Sequence, residues 1–318
     1  MKLNKQRWIL VLFTAAGSLW PQGRDTLRDT AQIGRLPILE TETWRPDSVR
    51  RFSPVISGAA SLLIPGAGQV YTHQYFKAGF FIALEAIFGS MANFWRTDAN
   101  NRFVREKSWL ALSAADTNRL AATMDREDAF LTHHHALESR FSFYDYLSWA
   151  AGGYVFNVLD AVGSSNAFRN TKEKSPLTAG LLAAVPGLGL GQWYNGALSK
   201  AGLVMMGQVS LGIMAYNCQR LMDRAEDNYL RLNPPQPDTL TRFVSFAYSG
   251  DWGDARYRSY TNRNMYLWYS VFFYFYSIFD AVVDAYLHDY PEKMKIKPDL
   301  ILGNKQVYLS LQTTFSLP

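Results

Sequence analysis

The chain has 318 residues, of which 48% are hydrophobic, 15% aromatic and only 19% charged. That charged share lies below the roughly 25% of ordinary soluble domains and, with so many aromatics, excludes wholesale disorder. A mean hydropathy of −0.13 excludes a chain lying mostly in lipid, and a net charge of +5, dispersed along the sequence, does not argue for nucleic acid.

The apolar residues are therefore concentrated in a few segments. Lys2, Lys5 and Arg7 precede an apolar run from Trp8 to Trp20, with small residues Ala15-Ala16-Gly17 inside it. This is the order of a secretory signal peptide over 1–17, or of an uncleaved anchor, and it predicts an exported N-terminal region. Residues 18–52 are polar and read as a linker.

Two long stretches then repeat each other, residues 53–168 and 175–290. Aligning Gln69 with Gln192 gives an offset of 123 residues and superposes Tyr71 on Tyr194, and Lys77-Ala78-Gly79 on Lys200-Ala201-Gly202. Further along, Asp160-Ala161-Val162 matches Asp280-Ala281-Val282 at an offset of 120. A period this long indicates two fused copies and not a solenoid. Each copy reads as a short apolar helix (Pro54–Ile64, Pro176–Val185), a Pro-Gly loop, a long apolar helix (Tyr75–Trp95, Leu198–Asn217), a polar connection and a second long apolar helix (Tyr144–Val162, Met265–Tyr286). The long helices have the roughly 20 apolar residues that a membrane span needs, with Tyr and Trp at their ends. The short helix is too short for a comfortable span and reads as re-entrant or interfacial; a spanning one would instead give three spans per copy and copies inverted relative to each other. The predicted fold class is all-α, an integral membrane helical protein in two tandem copies.

Within each copy the helices bring a lysine and an aspartate to one lipid boundary. An aspartate near a helix C-terminus and a lysine near a helix N-terminus are each misplaced with respect to the helix dipole. Pairing Lys77 with Asp160 and Lys200 with Asp280 relieves both, and the tyrosine hydroxyls and loop N–H groups are expected to complete the shell. Gln69 and Gln192 join this polar cluster. Asp280, Asp284 and His288 share a helix face but have Ser164 and Phe168 at the matching positions of the first copy, so a metal site is not expected. Glu85, in mid-span and matched by Gln208, is the intramembrane carboxylate; a structural hydrogen bond or a transport role both fit it. His133-His134-His135 makes a poor chelate, because consecutive helical residues face different ways. Cys218, the single cysteine, reads as a buried thiol, and no cofactor motif is present.

The tail, 291–318, alternates Val307, Leu309, Leu311, Thr313 and Phe315 with polar residues or Tyr308, which predicts a β-strand that must pair with something. The motifs P-G-x-G-Q-x-Y (Pro65–Tyr71, with a longer form at Pro186–Tyr194), K-A-G (Lys77–Gly79, Lys200–Gly202) and D-A-x-x-D-A (Asp280–Ala285) resemble a bacterial membrane-protein family of unknown function. That family is distantly similar to the two-transmembrane-domain superfamily. The resemblance implies no reaction.

The expected role is a non-enzymatic membrane protein of the bacterial envelope, in the inner membrane. Its partners would be the lipid bilayer and an envelope protein met through the polar connections or the C-terminal strand. A small transporter or channel using Glu85 and the helix-end aspartates is the alternative, and a membrane-embedded hydrolase is the third reading. Positive charges in the inter-repeat linker and tail place the Pro-Gly loops in the cytoplasm. An exported N-terminus followed by a non-spanning first helix places them outside, so the two signals oppose each other.

Overall fold

A computed structural model of the chain describes residues 52–165 and 174–287, and the backbone of two strands in the tail, 296–303 and 306–313. The expected signal peptide, the expected linker up to residue 51, residues 166–173 and His288 lie outside the described residues.

Among the described residues, eight helices form two units with the same order of elements. The first comprises α1 (Pro54–Leu63), α2 (Ala67–Tyr71), α3 (Tyr75–Ala115) and α4 (Arg119–Gly163). The second comprises α5 (Pro176–Ala183), α6 (Leu190–Tyr194), α7 (Leu198–Leu232) and α8 (Thr239–Leu287). Local chemistry sets the starts. Ser53 and Ser175 cap α1 and α5 by accepting from the backbone N–H of Ile56 and Thr178, and a proline occupies the next position in each. The short α2 and α6 begin at Gly66 and Gly189, which hold φ of 83° and 57°. A side chain there would be strained and would also strike the backbone of Ala78 or Ala201.

The expected polar connections are not loops. They continue the long helices, which reach 41, 45, 35 and 49 residues in α3, α4, α7 and α8. Only residues 116–118 and 233–238 interrupt them. At 1.5 Å per residue these helices run for about 50 to 75 Å, roughly twice the thickness of a bilayer. They pack antiparallel in chain order, α3 on α4, α4 on α7 and α7 on α8. The sequence reading failed here because the outer helices α3 and α8 pack mainly on one neighbour each and also carry apolar side chains on their exposed faces, which leaves no clear stripe.

The bundle has two chemically different halves. Beyond the apolar stretches, Ala225, Leu232, Val244, Tyr248, Trp252 and Ala255 form a core closed by Leu120, Met124 and Leu131. The bidentate pair of Arg231 with Glu127, at 2.7 and 2.5 Å, ties α7 to α4 there. In the other half large apolar side chains face outward, among them Leu63, Phe76, Phe272 and Phe279. Three helices, α3, α7 and α8, are long and apolar enough to cross a membrane. The fourth expected span, in α4, is not among them: its stretch carries Asp145, Asn157 and Asp160. All three are held by hydrogen bonds from neighbouring elements.

Helices α1 and α5, of 10 and 8 residues, do not cross this half. Gly58 of α1 lies against Val162 at the end of α4, while Leu62 O accepts from the Tyr154 hydroxyl deeper in the bundle. Six helical residues separate Tyr154 from Asp160, so α1 enters about 9 Å and α2 returns. In the second unit Gly180 lies against Val282, and the Tyr274 hydroxyl donates to Ala184 O at 2.8 Å. In the tail, Ile296–Gly303 pairs antiparallel with Gln306–Thr313 as a two-stranded hairpin.

Candidate functional site

The polar groups of each unit converge where the short-helix hairpin, α1–α2 or α5–α6, meets the ends of two long helices. In the first unit Lys77 Nζ, at the start of α3, lies 3.1 Å from Asp160 Oδ1, at the end of α4. Gln69 Nε2 donates to Asp160 Oδ2 at 3.1 Å and to Asn157 O at 2.9 Å. Ser199, from the second unit, donates to Asp160 Oδ1 at 2.7 Å. The carboxylate is thus 4% exposed, and its donors come from α2, α3 and α7. Every charged oxygen removed from water has a partner, which burial of an ion requires.

In the second unit Lys200 Nζ lies 2.7 Å from Asp280 Oδ1 and 2.7 Å from Asp284. Gln192 Nε2 donates to Ser277 O at 2.7 Å, the carbonyl that matches Asn157 O. The two carboxylates are 15% and 27% exposed, so this site opens toward its surroundings. A single lysine holds two carboxylates here. In the first unit Lys77 instead donates to Ser164 Oγ at 3.5 Å, and Ser164 donates to Gln74 Oε1 at 3.1 Å.

The expected completion of these shells is corrected. The tyrosines stand at the chain entries: Tyr71 meets the Phe52 ring at 5.4 Å between centroids. The Tyr194 hydroxyl accepts from Ser175 N at 3.1 Å, with Lys174 over its ring. The loop N–H groups also serve other acceptors. Gly66 N donates to Asn157 Oδ1 at 3.1 Å, Gly68 N to Ser61 Oγ at 3.0 Å, and Gly187 N to Gln208 Oε1. The loop glycines allow close helix packing instead of a carboxylate cradle. A Cβ on Gly68 would sit 2.1 Å from Ser57 O, and one on Gly191 would sit 2.5 Å from Ala179 O. Ser199, Asn157, Ser277, Tyr154 and Tyr274 are the residues that sequence reasoning missed. Tyr154 and Tyr274 share the offset of 120 and could have been found by it.

Glu85 lies in α3 beside Gly153 of α4, and its Oε1 is buried without a hydrogen-bond partner. The matching Gln208 has two, donating to Ser277 Oγ at 3.1 Å and accepting from Gly187 N. Cys218 is buried in α7. The three histidines point apart. His133 Nδ1 is 2.8 Å from Glu106 on α3, and His135 Nδ1 is 2.9 Å from Glu138. His134 is fully enclosed against Trp252 of α8, ring centroids 5.2 Å apart. Burial there lowers its pKa to about 4, against the raising influence of Glu138. Among the described residues, no three His, Cys, Asp or Glu side chains gather to hold a metal.

No curated protein and no solved structure matches the chain. Residues 172–317, which hold the second unit and the tail, match the model of a family of unknown function (DUF5683).

Proposed function

We propose that this chain is an integral membrane protein of the bacterial envelope, built from two fused copies of one unit, with a structural or partner-binding role and no catalytic one. The half that carries the Lys–Asp sites lies in the bilayer, and the other half projects from it as a four-helix stalk. The distant likeness to the two-transmembrane-domain superfamily belongs to this reading. The observation that carries it is the paired geometry. At matching positions both units set an αL glycine on the next helix, a glutamine on a helix carbonyl, a tyrosine hydroxyl on the hairpin, and a lysine on an aspartate. Around these groups the exposed surface is apolar and aromatic, a surface that in water would aggregate and in lipid is at home.

Against catalysis stands the use of the charged groups: each lysine and aspartate of the two sites is engaged with another protein group. The stalk, about 30 Å or more in length, is the natural platform for a partner. Membrane residence is tested by alkaline carbonate extraction, with the chain expected in the pellet until detergent is added. Release by carbonate alone would end the membrane reading. Affinity capture from native membranes, with mass-spectrometric identification, is expected to recover an envelope protein. A transporter is favoured by one observation, the unpartnered Glu85 Oε1 in mid-span. Ion flux in proteoliposomes that disappears in Glu85→Gln would establish that alternative.

A further inference from the structure

The outward face of α8 beyond the apolar half carries a regular pattern, in which Tyr260 meets the Arg263 guanidinium, 5.1 Å from its ring centroid. Phe243, Phe246, Gly250, Gly253, Tyr257 and Tyr260 recur every three or four residues, the spacing of a coiled-coil seam. They lie on the opposite side of the helix from the buried set Val244, Tyr248, Trp252, Ala255 and Ser259. The four aromatics are 54%, 91%, 68% and 47% exposed in that order. A Cβ on Gly250 or Gly253 would meet nothing within 4 Å. Each glycine costs the helix about 1 kcal/mol relative to alanine. Within one chain that cost has no return, whereas against a second helix the missing side chains allow close approach between the aromatic pairs.

We propose that this stripe binds the same stripe of a second copy of the chain, the two stalks lying parallel about a two-fold axis. This rests on the membrane reading above, because insertion in one sense in one membrane makes the stalks parallel and sets identical residues side by side. Three observations select a second copy as the occupant. The area suffices: at about 200 Å² per aromatic side chain, the exposed fractions leave roughly 500 Å² on each copy. Two such faces bury roughly 1,000 Å², the size at which specific interfaces begin. The charges also fit. In parallel register Asp254 comes opposite Ser249 of the second copy, and Arg256 opposite Thr261 of the second copy, so no like charges meet. The face is self-complementary, as a two-fold interface must be, with glycine against glycine at its centre.

The test uses the full chain in native membranes. Cys218 is the only cysteine, so a Cys218→Ala background leaves one engineered thiol at a time. Oxidation of Gly253→Cys is expected to give a disulfide-linked dimer, while Asp251→Cys, exposed on another face, stays monomeric on the same gel. Phe246→Asp, in the Gly253→Cys background, is expected to cut the cross-link at least tenfold while the helical circular dichroism is retained. Equal cross-linking at positions 251 and 253, no cross-link at 253, or a cross-link that survives Phe246→Asp would each overturn the proposal. So would loss of the cross-link on removing a different co-purifying protein. Carbonate extraction of the same membranes reads the membrane assignment separately, so a failure of either is distinguishable.

Discussion

The two Lys–Asp sites are built on the same plan and finished differently. In the first unit a single carboxylate is sealed by donors from three helices, one of them in the other unit. In the second, two carboxylates share one lysine and face outward. The hairpins behind them differ in the same direction. Ser61 Oγ donates to Gln69 Oε1 at 3.0 Å, but Ala183 holds that place in the second unit and Gln192 Oε1 is buried without a partner. Ser57 donates to Ala161 O at 2.7 Å, whereas in the second unit Asn195 serves Ala281 O at 2.7 Å. The lesson is that the backbone arrangement makes fixed demands, a carbonyl to be met and a charge to be neutralised. Different side chains can meet them, and the less completely satisfied site is the one free to respond to its surroundings.

The largest effects should be those the two units share. Gly68→Ala and Gly191→Ala each force a methyl into a helix backbone, and each should cost about 3 kcal/mol or more by thermal unfolding in detergent. A mild effect at one and a severe effect at the other would break the structural equivalence. Next, Asp160→Ala takes the acceptor from Ser199 and one of two partners from Lys77 and should cost about 3 kcal/mol, whereas Asp280→Ala should cost about 1 kcal/mol because Asp284 still holds Lys200. Equal losses would remove the distinction between a sealed and an open site.

Acid separates both sites from the stalk. His134 has a folded pKa of about 4 against 6.5 in the unfolded chain. Its neutral burial is therefore uncompromised above pH 6.5, and stability falls as the pH drops from 6.5 toward 4, by about 3 kcal/mol in all. His134→Phe should flatten that part of the pH–stability curve, and an unchanged slope would remove His134 as its source. The smallest effect expected is a gain. Ala183→Ser returns the missing donor to Gln192 Oε1 and should stabilise by about 1 kcal/mol, while Ser61→Ala should cost about the same.

Part of this was legible in the residues. Lys77 and Asp160 stand at the ends of consecutive helices, and a hairpin brings such ends together wherever its turn is placed. The short helices are too brief to span comfortably, which their length alone gives, while it leaves both a re-entrant and an interfacial placement open. What was not legible was the polar half of each long helix. Residues such as Arg102, Asp98 and Ser139 read as a polar connection, yet Asp98 accepts from Arg102 at 2.7 Å within α3 and from Ser139 of α4 at 2.6 Å across the helix pair. Ser199 was invisible for a simpler reason: its acceptor lies in the other unit, and the matching residue of the first unit is Phe76.

The sequence by itself determined the order of the elements, their capping and the positions that can be apolar, because serine caps, prolines, glycines and hydrophobic runs act through local chemistry. Only the tertiary structure decided which polar groups are buried together, which are left facing outward, and where the surplus aromatic face of α8 lies. Those outcomes depend on neighbours 39 to 91 residues away along the chain, and no local preference of a residue encodes who will stand opposite it.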